Sequence, residues 1–332
     1  RRVLFRSLVG FILSGIAISF KSYELLFISR LLTGLCAGNV AVAQASLADI
    51  SKDDAMRAKN VTLGQVAMGS GYIVGPLLGS LFNSSFISWF DNSTPFWFFS
   101  ILLAMMFLIA VFFYKETLKT PKYNKINLLE GVGQIKQALI GSSLRGYFLI
   151  WLIFVSGWWL FESYFPTFMF QAFHFDTTQI GFVLAFNGTL YSLFQYGVVR
   201  KLTPILSAAQ MVIGGMVFSG IAVISLSVIS NVLSLYLIMT LFVISMAFAI
   251  PGIITAISLK ASESDQGQVM GMIGSIQAFA TVLVSLIGGY LDAIHSDLPM
   301  LLGGSLIITS GFIFIGYFKS KKTKEPLVIT AN

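Results

Sequence analysis

The sequence predicts an all-α polytopic membrane protein, and three observations carry that prediction. The 332 residues are 56% hydrophobic and only 11% charged, whereas an ordinary soluble domain is about a quarter charged. The apolar residues fall in continuous runs near the length a helix needs to cross the hydrocarbon core, about 20 residues. The basic residues cluster in alternate loops between those runs. In a bilayer only helices and closed barrels satisfy their own backbone. A barrel would show short segments alternating apolar and polar, which this chain does not.

Ten spans follow in order, roughly 3–20, 24–50, 60–82, 95–114, 146–170, 177–199, 208–229, 233–259, 267–291 and 298–318. Polar breaks such as "SKDDAMRAKN", "NSSFISWFDNSTP" and "FHFDTTQ" separate them. With the N-terminus placed in the cytoplasm, the cytoplasmic segments hold every Lys and Arg except Lys21 and Arg30. That asymmetry orients the chain with both ends cytoplasmic and requires an even number of spans. It also accounts for the net charge of +7 without a nucleic-acid partner. The single cysteine, Cys36, cannot form an internal disulfide, and the two histidines, His174 and His295, fall in loops. No spacing suggests a metal site, no phosphate-binding Gly-Lys-Ser/Thr loop is present, and no cofactor or enzymatic constellation is expected.

The segment 115–145, "KETLKTPKYNKINLLEGVGQIKQALIGSSLR", is a long basic linker. It divides the chain into an N-terminal bundle over 1–114 and a C-terminal bundle over 146–318, with a cytoplasmic tail over 319–332. "SLADISKDDAMRAKNVTLGQVAMGSGYIVGPLLGSLF" from Ser46 parallels "SLKASESDQGQVMGMIGSIQAFATVLVSLIGGYL" from Ser258. Each closes a span on Ser-Leu, crosses a charged loop and enters a glycine-rich span. Transporters are commonly built from such internal repeats. The unit joins the second and third spans in the first half and the fourth and fifth in the second, so the first half is two spans short. As the chain opens on Arg1 rather than Met, the expectation is two further N-terminal helices, about twelve in all and two pseudo-symmetric bundles.

Several stretches resemble signatures of the major facilitator superfamily. "RRVL" at the start is similar to the end of its loop signature between helices two and three. "RLLTGLCAG" from Arg30 resembles the fourth-helix signature, and "GYIVGPLLGS" resembles the fifth-helix Gly-x-x-x-Gly-Pro-x-x-Gly-Gly signature of the antiporter branch. Their order is that of the twelve-helix drug:proton antiporters, including the tetracycline and multidrug efflux proteins. Ser80 replaces the final glycine of the fifth-helix signature, and Thr62 stands where a distant glycine is often found. The tetracycline exporters carry intramembrane carboxylates in helices three and nine. The matching spans here, 3–20 and 208–229, contain no Asp or Glu, which argues against a magnesium–tetracycline substrate.

Candidate site residues follow from charge, spacing and resemblance. Glu162 in "WWLFESYFPTF" is an ionisable group inside a span, a functional position by default; it suits proton coupling or a cationic substrate. Arg30 needs a carboxylate or carbonyl partner at such depth; the resemblance pairs it with a protonatable group on a first helix. The resemblance also assigns Asp49, Arg57, Arg1 and Arg2 to a cytoplasmic gate. Gly71, Gly75 and Gly79 recur every four residues, and Pro76 bends the helix they share, giving a face that admits a neighbouring backbone. Polar residues at helical spacing, Gln44, Gln65 with Tyr72, Asn187 with Tyr191 and Gln195, and Gln277 with Thr281 and Ser285, are either cavity-lining or interhelical hydrogen-bonding groups. Trp158, with Trp159, Phe161, Tyr164 and Phe165, surrounds Glu162 with aromatic surface suited to a flat lipophilic molecule.

These readings point to a secondary active transporter in a bacterial inner membrane, exporting a lipophilic drug or metabolite against proton influx and functioning as a monomer. Its partners are the small-molecule substrate, protons and the lipid bilayer. An importer of a small solute, or a receptor-like membrane protein that has lost transport, uses the same sequence features.

Overall fold

The structure is a computed structural model that describes residues 2–35, 43, 46, 50–51, 54–82, 90–113, 130–142, 144–202, 205–261 and 265–324. Among the described residues it is helical, with no strand. The described residues form eleven helices of at least seven residues: α1 Arg2–Ser19, α2 Tyr23–Leu35, α3 Asp54–Phe82, α4 Thr94–Phe112, α5 Glu130–Lys136, α6 Arg145–Phe173, α7 Thr177–Phe194, α8 Ala208–Ser225, α9 Val232–Ser258, α10 Gln266–Ile294 and α11 Leu298–Lys324. Among the described residues seven helical segments are long and apolar enough to cross a membrane, and Leu4–Ser19 and Gly69–Phe82 are shorter apolar helices. Where the residues are described, the helices track the expected spans apart from their ends. Helix α3 begins at Asp54, inside the expected polar break. Helices α6 and α10 each run three residues past the expected end, to Phe173 and Ile294, and α11 runs six past it, to Lys324, inside the expected tail. The linker contains α5, which continues as a π turn over Gln137–Gly141.

Short polar residues start the helices by supplying acceptors to backbone N–H groups that have no intrahelical partner. Ser207 and Gln210 form a reciprocal capping box at α8. Asp176 Oδ1 accepts from Gln179 N at 2.8 Å, and Gln179 Oε1 accepts from Asp176 N at 2.9 Å, closing the same kind of box before α7. Asn231 Oδ1 accepts from Ser234 N at 2.8 Å at the start of α9. Asp91 accepts from the backbone of Ser93 and Thr94, at 2.8 and 3.0 Å, ahead of α4. A Ser93 hydroxyl at 2.6 Å holds the Asp91 carboxyl below the usual range, with the Ser93 and Thr94 backbone N–H groups acting the same way.

The chain divides into two compact units, one formed by Arg1–Asn124 with Asp176–Phe186, the other by Lys125–Phe175 with Asn187–Asn332. The division falls within α7. In the first unit α1 packs on α2 and α4, and α3 packs on α4. Aromatic rings fill those contacts: Phe82 lies 4.7 Å from Phe98 and 5.4 Å from Phe90, and Phe11 lies 6.2 Å from Phe99. Helix α4 leaves Ile101, Met105, Met106, Ile109 and Phe112 exposed, which suits a lipid-facing surface in a chain of this composition.

The second unit is built around α6, α8, α9, α10 and α11. Two glycine pairs bring its helices into backbone contact. A Cβ on Gly157 of α6 would lie 2.5 Å from the Gly303 carbonyl oxygen of α11. A Cβ on Gly304 would lie 2.7 Å from the Gly220 carbonyl oxygen of α8. Consecutive glycines of α11 thus let two different helices approach closely, the small-residue mode of membrane helix packing. Trp151, Phe154, Phe161 and Phe165 of α6 are fully buried beside them. The Trp151 indole N–H donates to the Ile273 carbonyl of α10 at 3.2 Å.

Candidate functional site

In the first unit, Arg30 is held by side chains of α1 and α4. Its guanidinium carbon lies 5.5 Å from the ring centroids of both Phe11 and Phe96, a distance at which each ring attracts the cation. One guanidinium N–H donates to the Ser14 hydroxyl. Ser14 in turn donates to the Gly10 carbonyl at 2.8 Å and lies 2.9 Å from the Ser29 hydroxyl. The carboxylate or carbonyl partner expected for Arg30 is not what the described residues supply. Two aromatic faces and a hydroxyl solvate the charge instead, and the side chain keeps an exposed part.

The Gly-Pro signature of α3 makes its close contact on one side only. Ser80 donates from Oγ to the Thr178 carbonyl at 3.1 Å. A Cβ on Gly181 of α7 would meet Ser80 Cβ at 2.4 Å and the Pro76 carbonyl oxygen at 3.0 Å. The seam is therefore Pro76 and Ser80 against Gly181. Gly71, Gly75 and Gly79 have no described atom outside their own helix within 4 Å of where a Cβ would stand. Ser80, read from the sequence as a departure from the signature, is the residue that joins the two helices.

In the second unit, Glu162 sits within α6 with its side chain accessible. The Trp158 indole, one turn earlier on the same face, interacts with the carboxylate, and Trp158 stacks on Trp159 with centroids 5.6 Å apart and planes at 29°. No Lys, Arg or His pairs with Glu162 among the described residues. Helix α7 carries one amide, Asn187, and the π turn that follows it carries another, Gln195. Asn187 Oδ1 and Gln195 Oε1 are buried without a hydrogen-bond donor among the described residues, as Trp159 Nε1 is without an acceptor. Such groups are costly to leave unmade. Tyr191 lies between the two amides and is half-buried. Gln195 opens a π turn over Gln195–Val199, a distortion frequent at functional sites.

The remaining expected positions divide in two groups. Tyr72 is exposed on α3, and Gln277 is half-buried on α10. The stripe following Gln277 bonds within its own helix: Thr281 Oγ1 donates to the Gln277 carbonyl at 3.0 Å, and Ser285 Oγ donates to the Thr281 carbonyl at 2.8 Å. Asp49, Arg1 and Gln44 lie outside the described residues, as do the side chains of Arg57, Arg2 and Gln65.

Sequence reasoning missed Asp292. The span was expected to end at residue 291, but α10 continues to Ile294 and puts the carboxylate in its last turn. The usable signal was the polar cluster "DAIHSD" directly after an apolar run, readable as helix end or as loop.

Comparison with known proteins places this architecture. A model of the Major Facilitator Superfamily matches residues 1–285 and 153–331. The tetracycline resistance protein, class B, of Escherichia coli is 25% identical over 328 residues, covering 95% of this chain and 77% of that protein. The class D protein of Salmonella ordonez is 26% identical over 265 residues, and the match spans 76% of this chain but only 62% of that protein. The crystal structure of the human organic anion transporter MFSD10 (TETRAN) superimposes with a TM-score of 0.69 at 19% identity, covering 94% of this chain and 75% of that one. With its helices, its signature stretches and a family match across most of its length, the chain belongs to the Major Facilitator Superfamily.

Proposed function

We propose that the protein is a secondary active exporter that couples proton entry to outward movement of a lipophilic drug or metabolite. Glu162 carries this reading. It is an acidic side chain within a membrane-length helix, accessible, beside stacked indoles and without a basic partner among the described residues. An intramembrane carboxylate of that kind can exchange a proton or balance a cationic substrate, but not both at once, which is the competition an antiporter needs. The indole pair offers a flat apolar surface for the substrate body. Asn187 Oδ1 and Gln195 Oε1 offer acceptors, and Trp159 Nε1 a donor, for polar groups upon it.

Export rather than import is supported by the antiporter-type signature around Pro76 and by the relatives, several of which are tetracycline or multidrug resistance proteins. The absence of Asp and Glu from α1 and α8 speaks against a magnesium–tetracycline substrate. In the proposed cycle two helical bundles, 1–114 and 146–318, give alternating access. Arg30 serves the charge balance of the first, Asp49, Arg57, Arg1 and Arg2 serve a cytoplasmic gate, and Gln44, Gln65, Tyr72, Trp158, Tyr191 and Gln277 add to the substrate surface. The protein acts as a monomer in a bacterial inner membrane with the two ends of this chain cytoplasmic.

The test uses everted membrane vesicles acidified inside, with a pH-sensitive quenching dye and ethidium as a lipophilic cationic probe. Ethidium-dependent recovery of fluorescence in wild type, lost in Glu162→Gln with the protein still in the membrane, is the expected outcome. Equal recovery in the variant removes Glu162 from the coupling.

A further inference from the structure

We infer that Asp292 is a second proton-binding carboxylate, at the junction of α6 and α10 in the neighbourhood of Tyr164; its part in coupling rests on the exporter reading above. Asp292 and Glu162 are the two carboxylates within the spanning helices of the second unit. Asp292 Oδ1 is buried and has no hydrogen-bond donor among the described residues. The residue stands in the last turn of α10, where the free carbonyls present negative charge and disfavour an anion. The nearest imidazole does not compensate it, because His295 Nδ1 lies 3.2 Å from Asp297 instead. An ionised Asp292 thus meets a buried, unsatisfied oxygen and the negative end of its own helix. Protonation removes the charge that both oppose. The reaction is the simple addition of a proton to the carboxylate, with no other bond broken.

Tyr164 faces this group from α6. Its ring occupies a slot that only glycine leaves open: a Cβ on Gly288 would stand 2.2 Å from Tyr164 Cε2. A Cβ on Gly289 would lie 3.5 Å from the Tyr164 hydroxyl. The pair "GG" in "IGGYLD" therefore fixes the phenol one turn before the carboxylate, close enough for the two to interact electrostatically. Of the other titratable groups of α6, Glu162 is exposed two residues before Tyr164, and Arg145 and Tyr147 stand at the far end of the helix. Helix α9 carries only Tyr236, the first titratable residue of α11 is Tyr317, Tyr290 of α10 itself is exposed, and α5 meets α10 near Ser275, well before its last turn. The half-buried exposure of Asp292 leaves it a route for exchange with water.

Infrared difference spectroscopy of the purified protein, titrated with acid and base, reads carboxyl protonation without needing a substrate. The expected result is a carboxylic C=O band, gained on acidification, that is lost in Asp292→Asn. It persists in Glu162→Gln, is restored in Asp292→Glu, and has its titration midpoint moved in Tyr164→Phe, in which Tyr164 is a positioning residue. A spectrum of Asp292→Asn identical to wild type overturns the inference. The ethidium vesicle assay separates the two readings. An Asp292-dependent band with no ethidium-driven proton movement in wild type leaves the proton site standing and removes the exporter reading. Wild-type proton movement unchanged in Asp292→Asn removes Asp292 from coupling.

Discussion

Two glycine-rich regions of the molecule behave in opposite ways. On α3, Gly71, Gly75 and Gly79 recur at helical spacing beside Pro76, yet no described atom beyond the helix comes within 4 Å of their missing Cβ positions. On α11, the less conspicuous Gly303 and Gly304 each touch the backbone of a different helix, opposite Gly157 and Gly220. A periodic glycine face records where a backbone can be approached. Whether it is approached depends on a partner elsewhere in the chain, a glycine at Gly303 and Gly304 and a small residue, Ala249, at Gly215. On α3 the close approach is made by Gly181, and it meets Pro76 and Ser80, not the three periodic glycines.

The contrast is sharpest under substitution, and the largest effect is expected at α11. In Gly304→Ala the new methyl would stand 2.7 Å from the Gly220 carbonyl oxygen and 2.6 Å from Ile224 Cγ1. A backbone carbonyl cannot rotate away as a side chain can, so two packed helices must separate. Overpacking of this kind costs about 3 kcal/mol, and detergent thermal unfolding should show a fall in Tm of several degrees. Substitution at Gly304 without loss of stability would place α8 and α11 farther apart than the structure has them.

Gly181→Ala should be milder. The clash is with the Ser80 side chain, at 2.4 Å from Cβ and 2.8 Å from Oγ, and less severely with the Pro76 carbonyl at 3.0 Å. About 1–2 kcal/mol is expected. Adding Ser80→Gly removes the obstructing atoms and should recover much of the loss, although it also forfeits the 3.1 Å bond to Thr178. A double variant no better than Gly181→Ala would show that Pro76, and not Ser80, sets the seam.

How much of this was legible in advance follows from the same pair of regions. The helices were legible because a bilayer demands continuous apolar length, and α6 through α11 follow the expected spans within a few residues, as at Arg145–Phe173 against 146–170. Glu162 was legible because a charge in such a run is conspicuous on its own. Arg30 was legible as a cation within an apolar run, but its neighbours were not: nothing local to α2 says that Phe11 and Phe96 would flank it. Asp292 was lost through a helix end misplaced by three residues, since a last turn and a polar loop share a composition. Helix α5 was lost inside a linker whose basic composition reads as loop, although Gln134 Oε1 accepts from the Ser275 hydroxyl at 2.6 Å. Pairings across helices are properties of two distant sequence positions, and one sequence displays each half separately.

On α3 the expected sign reverses. Gly75→Ala, or the same change at Gly71 or Gly79, adds a methyl where no described atom stands within 4 Å. Glycine in a helix interior costs roughly 0.5–1 kcal/mol relative to alanine through backbone entropy. Each change should therefore leave Tm unchanged or raise it slightly. A stable Gly75→Ala protein with impaired ethidium export would separate function from packing on this face, since a glycine kept at a cost to stability needs a reason other than the fold.

The smallest effect lies in the polar connection ahead of α4. The Asp91 carboxyl is held below its ordinary range, chiefly by the Ser93 hydroxyl, with the Ser93 and Thr94 backbone N–H groups adding to it. A carboxyl whose folded pKa is depressed contributes stability above its unfolded pKa and loses it as pH falls through the folded value. Asp91 therefore supports the start of α4 at neutral pH and stops doing so in acid. Asp91→Asn should narrow the difference in Tm between neutral and acidic buffer while leaving the acidic value nearly unchanged. The group is almost fully exposed, so the change should be small beside those at Gly304 and Gly181. An Asp91→Asn protein whose Tm falls equally at both pH values would mean that the hydrogen bonds to Ser93 and Thr94, not the charge, hold the turn.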